Sequence, residues 1–102
     1  MTALGDKSDI STASIVVATK DQVSSDLGGE TVLLSMQSAM YYGLDEVGTR
    51  IWELLREPIR VSDICDAIER EYDVERARCE ADVLGLLREL TAKGLIEVMD
   101  GA

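Results

Sequence analysis

Extended apolar runs broken by turn residues fill Val23 to Leu44, ending in a period-two alternation over Met40–Leu44, and apolar residues then recur at helical spacing from Val47 to Leu90. The chain therefore predicts strands first and helices second. Between the extended runs Val23–Leu27 and Glu30–Ser35 stand Gly28 and Gly29. Two glycines there predict a type I′ hairpin turn, which needs positive φ at both central residues. A second turn falls at Gln37-Ser38-Ala39. A three-residue loop pairs Met36 with Met40, Leu34 with Tyr42 and Val32 with Leu44, placing all six on one face. A two-residue loop would put Leu34 opposite Tyr41 and scatter the apolar set over both faces, which burial disfavours. The three-residue reading leaves Leu33, Tyr41 and Gly43 on the outer face, an edge without the charge or proline that usually defends one.

The stretch from Ala39 to Trp52 turns the chain from sheet to helix. Met40, Tyr42 and Leu44 alternate against Tyr41 and Gly43, and Asp45 then stands before Val47, Ile51, Trp52 and Leu55. A short carboxylate in that place caps a helix by accepting the unpaired amide hydrogens of its first turn. The pattern predicts a first helix from Glu46 to Arg56, ended ahead of Pro58. A second runs from Val61 to Tyr72, and a third from Glu75 to Lys93 with Gly94 as its left-handed stop. Leu95–Val98 closes the pattern as a short extended piece. Ile15–Ala18 is apolar and expected to lie extended against the sheet. Residues 1–13 carry no period and read as a tail, leaving 14–102 as one domain of α+β class.

Composition narrows what such a domain does. At 102 residues and 46% hydrophobic, the chain suits one core. Twenty acidic residues against ten basic give a net charge of −10, which repels phosphate backbones and argues against nucleic acid as a partner. No apolar run approaches a membrane span, and the first residues form no hydrophobic signal region, so the expected location is cytosolic. Cys65 falls on the stripe Val61, Ile64, Cys65, Ile68, and Cys79 on the stripe Cys79, Val83, Leu86, Leu87, Leu90. With no histidine and no C-x-x-C spacing, both read as small core residues rather than a metal, redox or disulfide pair. The same inventory argues against an enzyme. It holds no histidine for proton transfer, no Gly-rich phosphate loop and no Gly-x-Ser-x-Gly elbow. No cofactor is expected.

Val32-Leu-Leu-Ser35, Tyr41-Tyr-Gly-Leu-Asp45, Gly48, Ile51-Trp52 with Leu54-Leu55, Ile64, Tyr72-Asp-Val74, Asp82-Val83, Leu87, Leu90 and Gly94-Leu-Ile96 together resemble the PqqD-like peptide-recognition domains of ribosomal peptide natural-product pathways. The resemblance spans residues 22 to 98. The Tyr-x-Leu-Asp step, the Ile-Trp pair and the long third helix resemble the stand-alone members from lasso-peptide clusters. The chain departs from the family at Arg60, where Ser or Thr often caps the second helix, and has Asp45 where Asn is frequent.

The resemblance implies a winged-helix-like domain that binds the leader segment of a precursor peptide. It also implies a leader that adds as a strand to the third strand of the meander, with side chains in a groove walled by the third helix. Apolar edge and helix suit that mode, since backbone hydrogen bonds supply affinity and side-chain pockets supply specificity. Carried onto this sequence, the peptide site comprises Met40, Tyr41, Tyr42, Gly43 and Leu44 on the strand and Arg78, Cys79, Asp82 and Leu86 on the helix. Tyr42, Leu44, Ile51, Trp52, Val83 and Leu87 also read simply as core, and Asp82 as a solvated acid. The implied partners are a separately encoded cysteine leader peptidase of transglutaminase-like fold and a downstream ring-closing cyclase. The alternatives are the same role in a radical-enzyme pathway, such as pyrroloquinoline quinone or thioether peptides, and an acidic winged-helix interaction or regulatory module. A winged-helix topology also invites a DNA-binding reading, which the acid balance opposes.

Overall fold

The structure, a computed structural model, describes residues 10–99. Nine of the thirteen residues of the expected tail lie outside that range. Ile10 does not behave as tail, because it is 1% exposed and packs in the core.

Strands β1 (Ile15–Ala18), β2 (Gln22–Asp26), β3 (Thr31–Ser35) and β4 (Tyr41–Leu44) lead into helix α1 (Glu46–Leu54). A two-residue strand, β5 (Ile59–Arg60), precedes α2 (Val61–Glu71), α3 (Arg76–Ala92) and β6 (Ile96–Val98). The expected antiparallel meander is present as a sheet of order β2-β3-β4, with β4 at one edge. Its first turn has φ of 75° at Gly28 and 101° at Gly29, and the Leu27 amide donates to the Glu30 carbonyl at 2.7 Å, as a two-residue I′ turn requires.

The second turn corrects the expected register by one residue. Thr31 lies opposite Leu44, Val32 opposite Gly43, Leu33 opposite Tyr42 and Leu34 opposite Tyr41. The loop holds four residues, Met36 to Ala39. It is closed by the Ser35 amide donating to the Met40 carbonyl (2.9 Å) and the Ala39 amide donating to the Ser35 carbonyl (2.8 Å). Ala39 accepts a left-handed φ of 58° to complete it. A one-residue slip exchanges the two faces of β3. Leu33 is fully buried, while Met36 and Met40 are 61% and 46% exposed. The expectation failed because it maximised apolar area on one face. The core instead takes one large side chain, Leu33, between two small buried polar ones, Thr31 and Ser35. The Ser35 hydroxyl is satisfied by accepting from the Ser38 amide at 3.2 Å.

β1 joins a different sheet, of order β5-β1-β6. Val16 pairs with both Ile59 and Val98 and is fully buried, so this strand ties the connection before α2 to the end of the chain. The start of α2 is explained by the same region. Arg60, at its N-cap, supplies no side-chain capping bond, its guanidinium donating instead to the Ala13 carbonyl at 3.1 Å. The amides of Val61 and Ser62 instead donate to the carbonyls of Ser14 and Thr12, both at 2.9 Å, which meets the need of the helix start for acceptors.

The helices pack their apolar stripes together. Val61, Ile64, Cys65 and Ile68 of α2 and Cys79, Val83, Leu87 and Leu90 of α3 are all buried. The Cys79 thiol points at the Cys65 carbonyl, 3.7 Å away, and burial pushes both thiols up, Cys65 to about 11. Outside this seam the Arg76 guanidinium spans Asp66, Glu69 and Glu80. Arg50 joins α1 to α2 through Glu71. These are exposed pairs of modest individual worth.

Candidate functional site

Asp45 sets the direction of the chain where sheet becomes helix. Its Oδ1 accepts from the Gly48 amide at 2.8 Å, so α1 starts immediately after β4 and turns across the end of the sheet. Gly48 permits a close approach there, since a Cβ would stand 3.1 Å from Leu44 Cδ2. The result is a cleft of about 500 Å³ between the edge strand, the first turns of α1, and α3. Tyr42, Gly43 and Leu44 line it from β4, and Asp45, Val47, Gly48 and Ile51 from the start of α1. Cys79, Asp82, Val83 and Leu86 line it from α3, and Ile68, Tyr72 and Val74 complete the lining. The lining is mainly apolar with carboxylates at the mouth, a form suited to apolar side chains carried on a polar backbone.

Of the nine residues expected at the site, the structure brings six to this cleft: Tyr42, Gly43, Leu44, Cys79, Asp82 and Leu86. The side chains of three lie elsewhere. Tyr41 is 70% exposed on the outer face of the sheet, Met40 stands just before the strand, and Arg78 is an exposed side chain 3.8 Å from Asp82. The cleft also includes a wall that reading by strand and helix overlooked, formed by Ile68, Tyr72 and Val74. The Tyr72-Asp-Val74 step was visible in the sequence, but nothing local connects it to β4.

Backbone direction completes the site. Since Ser35 and Met40 form a hydrogen-bonded pair, alternation along an antiparallel ladder turns the polar groups of Tyr42 and Leu44 toward β3. Those of Tyr41 and Gly43 turn to the open edge, above the cleft. Tyr42 itself reaches the other wall. Its hydroxyl donates to the Glu89 carboxylate, and the Lys93 ammonium lies 5.6 Å from its ring centroid. The bond to Glu89, with burial and the nearby charges of Glu89 and Asp45, pushes the phenol up to about 12. No group of three or more Cys, Asp or Glu side chains arranged to hold a metal ion occurs among the described residues. No helix among them is long and apolar enough to cross a membrane.

A strand edge without a partner among the described residues, beside an apolar cleft in a winged-helix-like α+β domain, suits recognition of an extended peptide. The family described as Coenzyme PQQ synthesis protein D (PqqD) matches residues 30–96. TbiB1, solved in complex with the TbiA(beta) leader peptide, is 44% identical, the match covering 79% of this chain and 94% of that one with a TM-score of 0.73. The chain belongs to the PqqD-like family of recognition elements for ribosomally synthesized and post-translationally modified peptides, and is a recognition module rather than an enzyme. Two further structures share the fold at 22% identity. One is the PqqD truncation of Methylobacterium extorquens PqqCD, a stand-alone recognition element (91% of this chain, 99% of that one, TM-score 0.75). The other is a lasso peptide synthetase B1 complexed with the leader peptide (79% and 95%, TM-score 0.64). No curated protein matches the chain.

Proposed function

We propose that this chain binds the leader segment of a precursor peptide in lasso-peptide biosynthesis by accepting it as a further strand on β4. The observation that carries the reading is the outward direction of the Tyr41 and Gly43 backbone groups beside a cleft of about 500 Å³. A strand docked there gains backbone hydrogen bonds, while its alternate side chains enter the cleft. Gly43 has open space where a Cβ would stand, with nothing within 4 Å, so a second backbone can approach closely.

Within this reading Tyr42, Gly43, Leu44, Cys79, Asp82 and Leu86 contact leader side chains, Tyr41 contributes backbone, and Met40 and Arg78 flank the docked strand. The bound leader is delivered, in the cytosol, to a separately encoded cysteine leader peptidase of transglutaminase-like fold, and the core peptide passes to a cyclase. The 44% identity to TbiB1, a protein solved with its leader peptide, supports the assignment of ligand class.

The test is calorimetric titration of the protein with a synthetic leader from the precursor encoded beside its gene. Saturable one-to-one binding that changes little between low and physiological salt is the expected result, because apolar and backbone contacts dominate and rim charges act mainly on encounter. Absence of binding, or an affinity that collapses over that salt range, would refute the groove assignment.

A further inference from the structure

Among the described residues, the side-chain hydrogen bond between the edge strand and α3 is found at the C-terminal turn of that helix. At the C-terminal turn of α3, the Tyr42 hydroxyl donates to the Glu89 carboxylate and Lys93 lies over the Tyr42 ring. The Ser38 hydroxyl donates to the Lys93 carbonyl at 3.4 Å. Gly43 and Leu44 of β4 and Cys79 and Asp82 of α3 line the cleft itself. The Tyr42–Glu89 bond is thus a side-chain tie between the edge strand and α3. Glu89 is not among the residues lining the cleft.

We propose that the Tyr42–Glu89 hydrogen bond is a clasp that holds β4 and α3 at the separation a leader strand requires, making Glu89 a positioning residue for peptide recognition. The proposal rests on the leader-binding reading above. A tie of this kind acts on the free protein: it raises the fraction of molecules whose cleft is already at binding width, and apparent affinity scales with that fraction. The raised Tyr42 phenol is consistent with a hydroxyl held as a donor. Because the hydroxyl is bound to Glu89, a residue that does not line the cleft, its effect on binding passes through wall spacing.

The experiment compares parent, Tyr42→Phe, Glu89→Ala, Glu89→Gln and the Tyr42→Phe/Glu89→Ala double variant by stopped-flow binding of fluorescent synthetic leader. The expected result is an association rate lowered about three- to tenfold in Tyr42→Phe and Glu89→Ala, with the dissociation rate unchanged. The double variant should be no worse than either single one. Glu89→Gln keeps an acceptor and should restore the parental rate. Association at the parental rate in Glu89→Ala, or additive losses in the double variant, would overturn the clasp. Glu89 is exposed, so its variants keep the proposal testable even if Tyr42→Phe folds poorly. A peptide-free measurement separates this inference from the reading beneath it. Amide exchange in β4 and the last turns of α3 should quicken in Tyr42→Phe and Glu89→Ala without any leader present. Failure of the parent to bind leader would refute the recognition role, while unchanged exchange would refute the tie itself.

Discussion

Ser35 donates its backbone N–H to the Met40 carbonyl at 2.9 Å, and this bond decides which way every polar backbone group of β4 points. Met40, Tyr42 and Leu44 turn inward to β3, and Tyr41 and Gly43 turn outward.

Tyr41→Pro follows directly. It removes a donor that the free protein does not use, at an edge position where proline is tolerated. Circular dichroism should show a fold like the parent's, while leader binding weakens by about 1 to 3 kcal/mol because a buried acceptor on the leader is left unpaired. Tyr41→Phe should bind nearly as well as the parent. A folded Tyr41→Pro with parental affinity would end the case for strand addition at this edge.

The register makes neighbouring leucines unequal. Leu33 is fully buried and Leu34 only partly so. Leu33→Ala should destabilise the protein by about 2 to 5 kcal/mol, and Leu34→Ala by under about 1.5 kcal/mol. Urea unfolding of the two variants checks this, and equal losses would contradict the four-residue loop.

Asp45 serves both cap and cleft. Asp45→Ala should lose about 1 kcal/mol through the bond to Gly48, while Asp45→Asn keeps an acceptor there and should lose little. Thermal melts of both variants, followed by leader titration of Asp45→Asn, separate the capping role from any effect of its charge on the ligand.

Alkaline stability should carry the signature of Tyr42. Its folded-state pKa of about 12 lies above the ordinary 10.0. The neutral phenol is therefore favoured in the fold, and the unfolded chain releases that proton first. The associated stabilisation is fully present below about pH 10 and is lost as pH rises toward about 12. Cys65, raised from 9.0 to about 11, adds a loss beginning near pH 9. Subtracting the urea-midpoint profile of Tyr42→Phe from that of the parent removes the cysteine contribution and leaves the tyrosine one. A flat difference from about pH 9 to 12 would mean that the phenol is not held by Glu89.

Much of this molecule follows from interactions between residues close in the chain. The Gly28-Gly29 turn, the Asp45 cap, the span of α3 and its stop at Gly94, where φ is 72°, each depend on local backbone geometry and are legible in the sequence. So is the outward turn of Tyr41 and Gly43. That conclusion survived the wrong register because Met40 is the hydrogen-bonded member of its pair whether its partner is Met36, as expected, or Ser35, as found.

Tertiary structure alone decided the rest. The face of β3 that goes inward depended on the room beneath it, which accommodates Leu33 between Thr31 and Ser35, and on the willingness of Ala39 to adopt a left-handed turn. The placement of β1 between β5 and β6, the capping of α2 by residues 12 and 14, and the Ile68-Tyr72-Val74 wall of the cleft all join segments tens of residues apart. Local propensity and periodicity report how a segment is shaped and which face is apolar. Which distant segment covers that face is settled only when the whole core closes, because burial free energy rewards filling the available space and has no directional preference for a particular partner.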